Sequence, residues 1–210
     1  MAKLLCIRAS PRGWNSYSTR AAQAFLDAYR KTHPQDGVDD LDLSTADLPE
    51  FSAPQAAAKY AVMAGQTPTD EAGLAWKRVI DVINRFMSAD RYVIASPMWN
   101  FGIPYRLKQY IDIIVQPGLT IAFSPETGYR GLVTGRTAVL ILARGGAYEA
   151  GDPVKTFDFQ KSYLEMILGF IGLTDIRSIL IEPTLGEGPE GAEKALQSVI
   201  RQAETLAEKL

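Results

Sequence analysis

Serines 10, 16 and 18 place three hydroxyls within the nine residues Ser10-Pro11-Arg12-Gly13-Trp14-Asn15-Ser16-Tyr17-Ser18. A helical pattern follows at once, with Ala21, Ala22, Phe25, Leu26 and Tyr29 on one face. The first turn of a helix carries unpaired N–H groups and partial positive charge, so hydroxyls gathered there suit a phosphate. One serine alone would read as a helix cap. The loop has no lysine and no GxxxxGK[ST] pattern, which argues against a nucleoside triphosphate.

A second cluster lies in SPMWNFGIPYRLKQYID (residues 96–112), where Met98, Trp99 and Phe101 occupy what reads as a loop. Loops at the water boundary are usually small and polar. Pro97, Gly102 and Pro104 stiffen this one, and Asn100 adds an amide that both donates and accepts. Such a lining suits a planar heteroaromatic ring with polar edges. The plainer alternative is that Trp99 and Phe101 cover the end of a sheet or meet another subunit. A third loop, ARGGAYEAG (143–151), offers Arg144, Gly145 and Gly146. The glycines let backbone approach a ligand closely. Arg144 is expected either to offset negative charge on a ring or to be a surface cation. Together the three loops fit flavin mononucleotide (FMN) better than a nucleotide with a second phosphate–sugar half.

The elements that must position these loops alternate along the chain. Apolar runs at Lys3–Ala9, Val38–Leu43, Arg91–Ala95, Thr137–Ala143 and Asp175–Ile181 read as parallel strands. Helical spacing covers Ser18–Lys31, a stretch from Thr67 through Phe86, Pro104–Val115, Phe157–Leu173 and Pro189–Leu210. Residues 49–66 read as an excursion with some helix, and Thr120–Gly135 as a small hairpin or extended loop. Strand–helix alternation implies right-handed crossovers and a five-stranded, doubly wound parallel sheet with helices on both faces. A flavodoxin-like strand order and a Rossmann half both satisfy that pattern, and both put a ligand at the carboxyl ends of the central strands.

Composition narrows the classes. A chain of 210 residues is expected to form one domain, residues 1–210. Its apolar share of 47% and charged share of 22% are those of a globular protein. A formal charge of −2 without a basic stripe argues against a nucleic-acid partner. The amino terminus carries an apolar run too short for a signal peptide or membrane span, so a cytoplasmic location is expected. Cys6 is the sole cysteine and His33 the sole histidine, so neither a metal site nor a histidine triad is expected. His33 is expected at the surface, at a frayed helix end. GEGPEG (186–191) matches GxGxxG, but Glu187 and Glu190 would repel a pyrophosphate and no later strand supplies the ribose-binding acid. It is expected to be a turn.

With these loops the chain resembles the flavin-dependent NAD(P)H azoreductases, relatives of the flavodoxin-like quinone reductases. The resemblance lies in Ser10 with Ser16-Tyr17-Ser18, then PMWNFGIPYRLKQYID, GLVTGRTAVLILARGG and YLEMILGFIGLTDI. It implies FMN phosphate contacts at Ser10, Ser16, Tyr17 and Ser18. It implies Met98, Trp99, Asn100 and Phe101 around the ring, and Ala143, Arg144, Gly145 and Gly146 along its polar edge, where backbone N–H groups of 144–146 would stabilise negative charge. It also implies a homodimer that reduces quinones and azo compounds with NADH or NADPH; a single pocket over one ring face is then expected to admit donor and acceptor in turn. Phe123 and Phe170 are candidate pocket walls, across the dimer or otherwise packed in core or interface. Relatives commonly have tyrosine in place of Trp99 and serine or threonine in place of Ala143; the first change keeps a stacking face and the second removes a hydroxyl. The rivals are a flavodoxin-type electron carrier, disfavoured by the near-neutral charge, and a flavin-free scaffold of the same fold.

Overall fold

The computed structural model describes residues 1–68, 70–148 and 156–210. Thr69, at the expected start of the third helix, and residues 149–151 of the glycine-loop stretch lie outside the described residues. Five strands, β1 (Lys3–Arg8), β2 (Gly37–Asp42), β3 (Arg91–Pro97), β6 (Thr137–Ala143) and β7 (Asp175–Ile181), form one parallel sheet in the order β2-β1-β3-β6-β7. That order resolves the ambiguity between the two topologies in favour of the flavodoxin-like one, whose switch point falls between β1 and β3.

The side-chain period of two sends alternate residues of each strand to opposite faces. Leu5, Ile7, Tyr92, Ile94, Leu140 and Leu142 share one buried cluster with α3 (Asp70–Met87), α4 (Tyr105–Ile114) and α5 (Phe159–Phe170). Leu4, Cys6, Val93, Ala95, Val139 and Ile141 share the other with α1 (Tyr17–Thr32) and α6 (Gly188–Glu208). Continuous apolar runs are thus explained by burial on both faces. Arg20 joins α1 to α6 with two hydrogen bonds to Glu193, at 2.7 and 2.9 Å. Edge strand β2 is acidic, and Asp39, Asp40 and Asp42 pair with Lys3, Arg8 and Arg85.

The expected excursion contains a full helix, α2 (Ala53–Met63), which packs on α3. The expected hairpin forms from β4 (Ile121–Ser124) and β5 (Gly128–Gly131), paired antiparallel. Its backbone lies directly on the end of α5: a Cβ at Gly131 would come 2.2 Å from the Gly172 nitrogen. α5 is shorter than expected at both ends. Asp158 caps its start, accepting from the Lys161 N–H at 3.0 Å, and Gly172 at φ +112 stops its continuation. Pro104 has extended ψ and stands before α4 rather than in its first turn. His33 ends α1 as expected but is half-buried, its ring stacked on Tyr29 at 4.5 Å. GEGPEG is a turn only at Gly186–Glu187; Gly188 already opens α6. The space a Cβ at Gly191 would need is filled by Glu187, 2.2 Å away. No described helix is long and apolar enough to cross a membrane, and no metal-binding cluster occurs among the described residues.

Candidate active site

All five strands run the same way, so the loops after β1, β3 and β6 leave one end of the sheet side by side. Backbone bonds carry the register to that end: Ala9 N–H donates to Ala95 at 2.9 Å, and Met98 N–H to Ala143 at 2.8 Å. The first loop turns at Gly13 (φ +52) through a short 3-10 segment, Gly13–Asn15, into α1. Ser10, Ser16 and Ser18 are buried, whereas Tyr17 is half-buried. Ser16 sits at the cap position of α1, yet no side chain caps that helix; its hydroxyl meets the Ser18 hydroxyl at 3.1 Å instead. Thr19 adds a buried hydroxyl without a partner, which the sequence reading missed. Buried hydroxyls beside an uncapped helix start form a donor set that an anion would complete, so the phosphate of FMN fits here.

The second loop is a tight turn. Trp99 N–H donates to Gly102 at 3.0 Å and Gly102 N–H to Trp99 at 2.9 Å. Between them Asn100 and Phe101 are both left-handed, at φ +47 and +67. Asparagine tolerates this; phenylalanine there costs about 1–2 kcal/mol. The conformation is held from α5, where Phe159 N–H donates to the Phe101 carbonyl at 3.0 Å, and by Phe157, whose ring lies 5.3 Å from that of Phe101. The turn keeps aromatic rings at the surface that would otherwise collapse inward. Trp99 is 39% exposed, Phe101 50% exposed, and Tyr105 stands beside Trp99 at 6.5 Å. A cleft of about 310 Å³ opens between the first two loops, lined by Ala9, Pro11, Trp99, Pro104, Tyr105 and Arg106. Its size falls at the small end for ligand pockets.

Arg106 was not anticipated, although its position offered a cue. A cation in the first turn of a helix opposes the dipole. Among the described residues its guanidinium bonds only neutral acceptors: the Leu43 carbonyl at 2.9 Å, Gln109 Oε1 at 2.7 Å and the Ala46 carbonyl.

The third loop corrects the sequence reading. Arg144 is neither a surface cation nor free to face a ring. It is 1% exposed and ion-paired with Asp158 and with Glu182, whose Oε2 lies 2.8 Å from Nε. That Nε–H points off the line to the carboxylate and finds no acceptor. Its own backbone N–H is also engaged, donating to Ile181 at 2.9 Å, so it cannot stabilise charge on a ring. A Cβ at Gly145 would meet Leu185 Cδ1 at 2.7 Å, so that glycine makes room first for a neighbouring side chain. Gly146 is exposed and Ala143 is buried. Gln160 donates to the Ser96 carbonyl at 3.2 Å, and its buried Oε1 has no partner among the described residues. Asp158, Glu182 and Gln160 had no sequence signal, because only folding brings the two acids against Arg144 and the amide against Ser96.

Phe123 and Phe170 are not brought to these loops within one chain. Phe159 marks the loop end of α5, and Phe170, eleven residues on, lies roughly 16 Å farther along the axis. There it meets Tyr129 at 5.5 Å, and Tyr129 meets Phe123 at 4.9 Å. Cys6 is inert: burial pushes its thiol up to about 12.

A family model described as flavodoxin-like fold matches residues 2–207. The chain is 51% identical over 211 residues to a protein of Nitratidesulfovibrio vulgaris (strain DP4) named FMN-dependent NADH:quinone oxidoreductase, with 99% of each chain covered. It is 45% identical over 210 residues to a protein of the same name from Desulfotalea psychrophila, covering 100% of this chain and 98% of that one. Among solved structures, an azoreductase from Bacillus anthracis matches with a TM-score of 0.91 at 30% identity, both chains being covered in full. An FMN-dependent NADH-azoreductase from the same species, in complex with FMN, matches at 0.87 and 29%, covering 99% of this chain and 100% of that one.

Proposed function

This chain belongs to the family of flavodoxin-like fold matched over residues 2–207, and from that premise we propose that it is an FMN-dependent oxidoreductase moving two electrons from NADH or NADPH to quinones and azo compounds. One observation carries the reading: the loop of buried serine hydroxyls before the uncapped start of α1 and the strained turn presenting Trp99 leave neighbouring strands at the β1/β3 switch point, and Pro11 and Trp99 line a cleft between the two loops. The similarity to named quinone oxidoreductases and azoreductases supports the choice of donor and acceptor. When bound, FMN supplies the two-electron chemistry, so no acid–base triad is required.

The chain's own groups then bind and orient. Ser10, Ser16 and Ser18, with Tyr17, hold the phosphate. Met98, Trp99, Asn100 and Phe101 hold the ring, and the main chain of 143–146 follows its polar edge. Arg144 acts below that edge, tying the loop to Asp158 and Glu182. Trp99 and Tyr105 exclude water and leave one slot for a flat partner, so donor and acceptor bind in turn, a ping-pong scheme.

The reading includes a single domain over residues 1–210, a cytoplasmic location and a homodimer. α5 leaves Phe159 and Met166 exposed, and Phe123 and Tyr129 extend the apolar surface from the hairpin. Such a patch is more than a monomer usually leaves to water. A second copy docked on this face would put Phe123 and Phe170 within reach of the partner's cleft. The test is initial-rate measurement over a grid of NADH and a benzoquinone with FMN-loaded protein. Parallel double-reciprocal lines are expected. Intersecting lines would sink the shared slot, and absence of any NADH oxidation would sink the reading.

A further inference from the structure

The cleft beside Trp99 is bordered by Pro11 of the first loop. Pro11 lines both that cleft and a second, more polar one of about 680 Å³, formed with Arg12, Trp14, Asn15, Tyr17 and Arg20. Two flat aromatic platforms, Trp99 and Trp14, therefore line neighbouring clefts that share Pro11 as a border.

Trp14 is held in place but not buried. Gly13 turns the chain so that Trp14 faces outward, and the indole remains 61% exposed. The Arg8 guanidinium lies over the ring, 5.8 Å from its centroid, and is itself fixed by Asp40 and Asp42 at 2.8 and 3.2 Å. The ring is thus preorganised, which lowers the entropy cost of stacking on it.

Charge around Pro11 is unbalanced. Arg20 is cancelled by Glu193. Arg12 makes no ion pair among the described residues, and Arg106 across Pro11 bonds only neutral acceptors. Two guanidinium charges are thus left without a carboxylate partner among the described residues, one in each cleft. Two flat heterocycles joined by a diphosphate match this pattern, whereas a quinone has neither the second ring system nor the charge.

We infer that the adenosine-diphosphate half of the nicotinamide donor docks on the outer face of the β1–α1 loop, its adenine stacked on Trp14 and its diphosphate between Arg12 and Arg106. This rests on the oxidoreductase reading above and assigns the donor a site that the acceptor does not use. The serine hydroxyls are buried and line neither cleft, so the donor diphosphate does not compete with the FMN phosphate for them.

The test uses FMN-loaded protein, its Trp14→Ala, Trp14→Phe and Arg12→Ala variants, and three probes: ADP-ribose, NADH and reduced nicotinamide mononucleotide, which lacks the adenosine half. Stacking of a base on an aromatic ring is worth roughly 5- to 150-fold in binding. Calorimetric affinity for ADP-ribose should fall by a factor in that range in Trp14→Ala, and KM for NADH should rise by a like factor. Trp14→Phe should retain most of both. The truncated donor, with no adenine to lose, is the internal reference, and its KM should match between the wild type and Trp14→Ala. Arg12→Ala should weaken ADP-ribose and make the remaining binding less sensitive to salt. Unchanged ADP-ribose affinity and NADH KM in both alanine variants would overturn the docking site while leaving the oxidoreductase reading intact. A wild type that oxidises neither donor would overturn both.

Discussion

Replacing Arg144 by methionine separates two roles that its position near the expected ring edge confuses. Arg144 is enclosed and faces two carboxylates, Asp158 and Glu182, which are themselves only 14% and 15% exposed. Methionine fills similar length but leaves two acids close together without a counter-charge. Removing one partner from a buried ion pair costs about 3–5 kcal/mol. For a domain of this length each kcal/mol lowers Tm by roughly 2–4 °C, so a fall of about 6–20 °C is expected. The loss should be partly recovered in Arg144→Met/Glu182→Gln, because neutralising one acid removes most of the repulsion. The assay is thermal unfolding with and without saturating FMN, together with FMN titration. A structural role predicts that unfolding is hit first, with FMN affinity reduced only as the 143–146 loop loosens. If Arg144→Met unfolds within about 2 °C of the wild type yet loses FMN affinity at least tenfold, the arginine faces the flavin and the buried-pair argument is wrong.

Other outcomes follow from the same contacts. Ser16→Ala with Ser18→Ala should weaken FMN binding by at least about tenfold, since one lost hydrogen bond to a charged group is worth roughly 1.5–3 kcal/mol; fluorescence titration checks this. Asp36 accepts from the Tyr29 hydroxyl at 2.7 Å and the Ala2 N–H at 2.7 Å, and these bonds hold its carboxyl below the ordinary value of 3.8. A depressed folded value means that the stabilisation is present above the ordinary value and lost as pH falls through the folded one. Asp36→Asn should therefore cost stability in urea unfolding at pH 7, by about 1.5 kcal/mol, and progressively less as pH falls below the ordinary value of 3.8. Cys6, with its thiol pushed up to about 12, should resist a disulfide reagent at pH 8 in the native state and react promptly in denaturant. Rapid native labelling would contradict its burial.

The strand–helix alternation was legible because parallel strands covered on both faces leave unbroken apolar runs, and helices leave a 3.6-residue stripe. Local signals of this kind identified β1 and β6, the hairpin at Thr120–Gly135 and the three loops worth inspecting. The rigid turn at Trp99–Gly102 was foreshadowed by Pro97, Gly102 and Pro104, although its two left-handed residues were not, since phenylalanine ordinarily avoids that region.

Strand order needed the tertiary structure, because the flavodoxin-like and Rossmann arrangements share one local pattern and differ only in which strands pair. Arg144 shows the same limit at a single residue. Between a strand and two glycines it reads as an accessible cation, and only the packing of α5 and β7 brings Asp158 and Glu182 against it. Phe123 and Phe170 illustrate the converse, since a residue's distance from a loop depends on the length and direction of the helix that carries it. Arg106 and Trp14 stood in plain view as a cation at a helix start and an aromatic in a polar loop. That they line neighbouring clefts bordered by one residue, Pro11, was decided only when β1 and β3 were set side by side. Sequence determines which residues prefer water, a face or a turn, because those preferences are local. Which charges cancel and which surfaces join is decided by contacts between residues far apart in the chain.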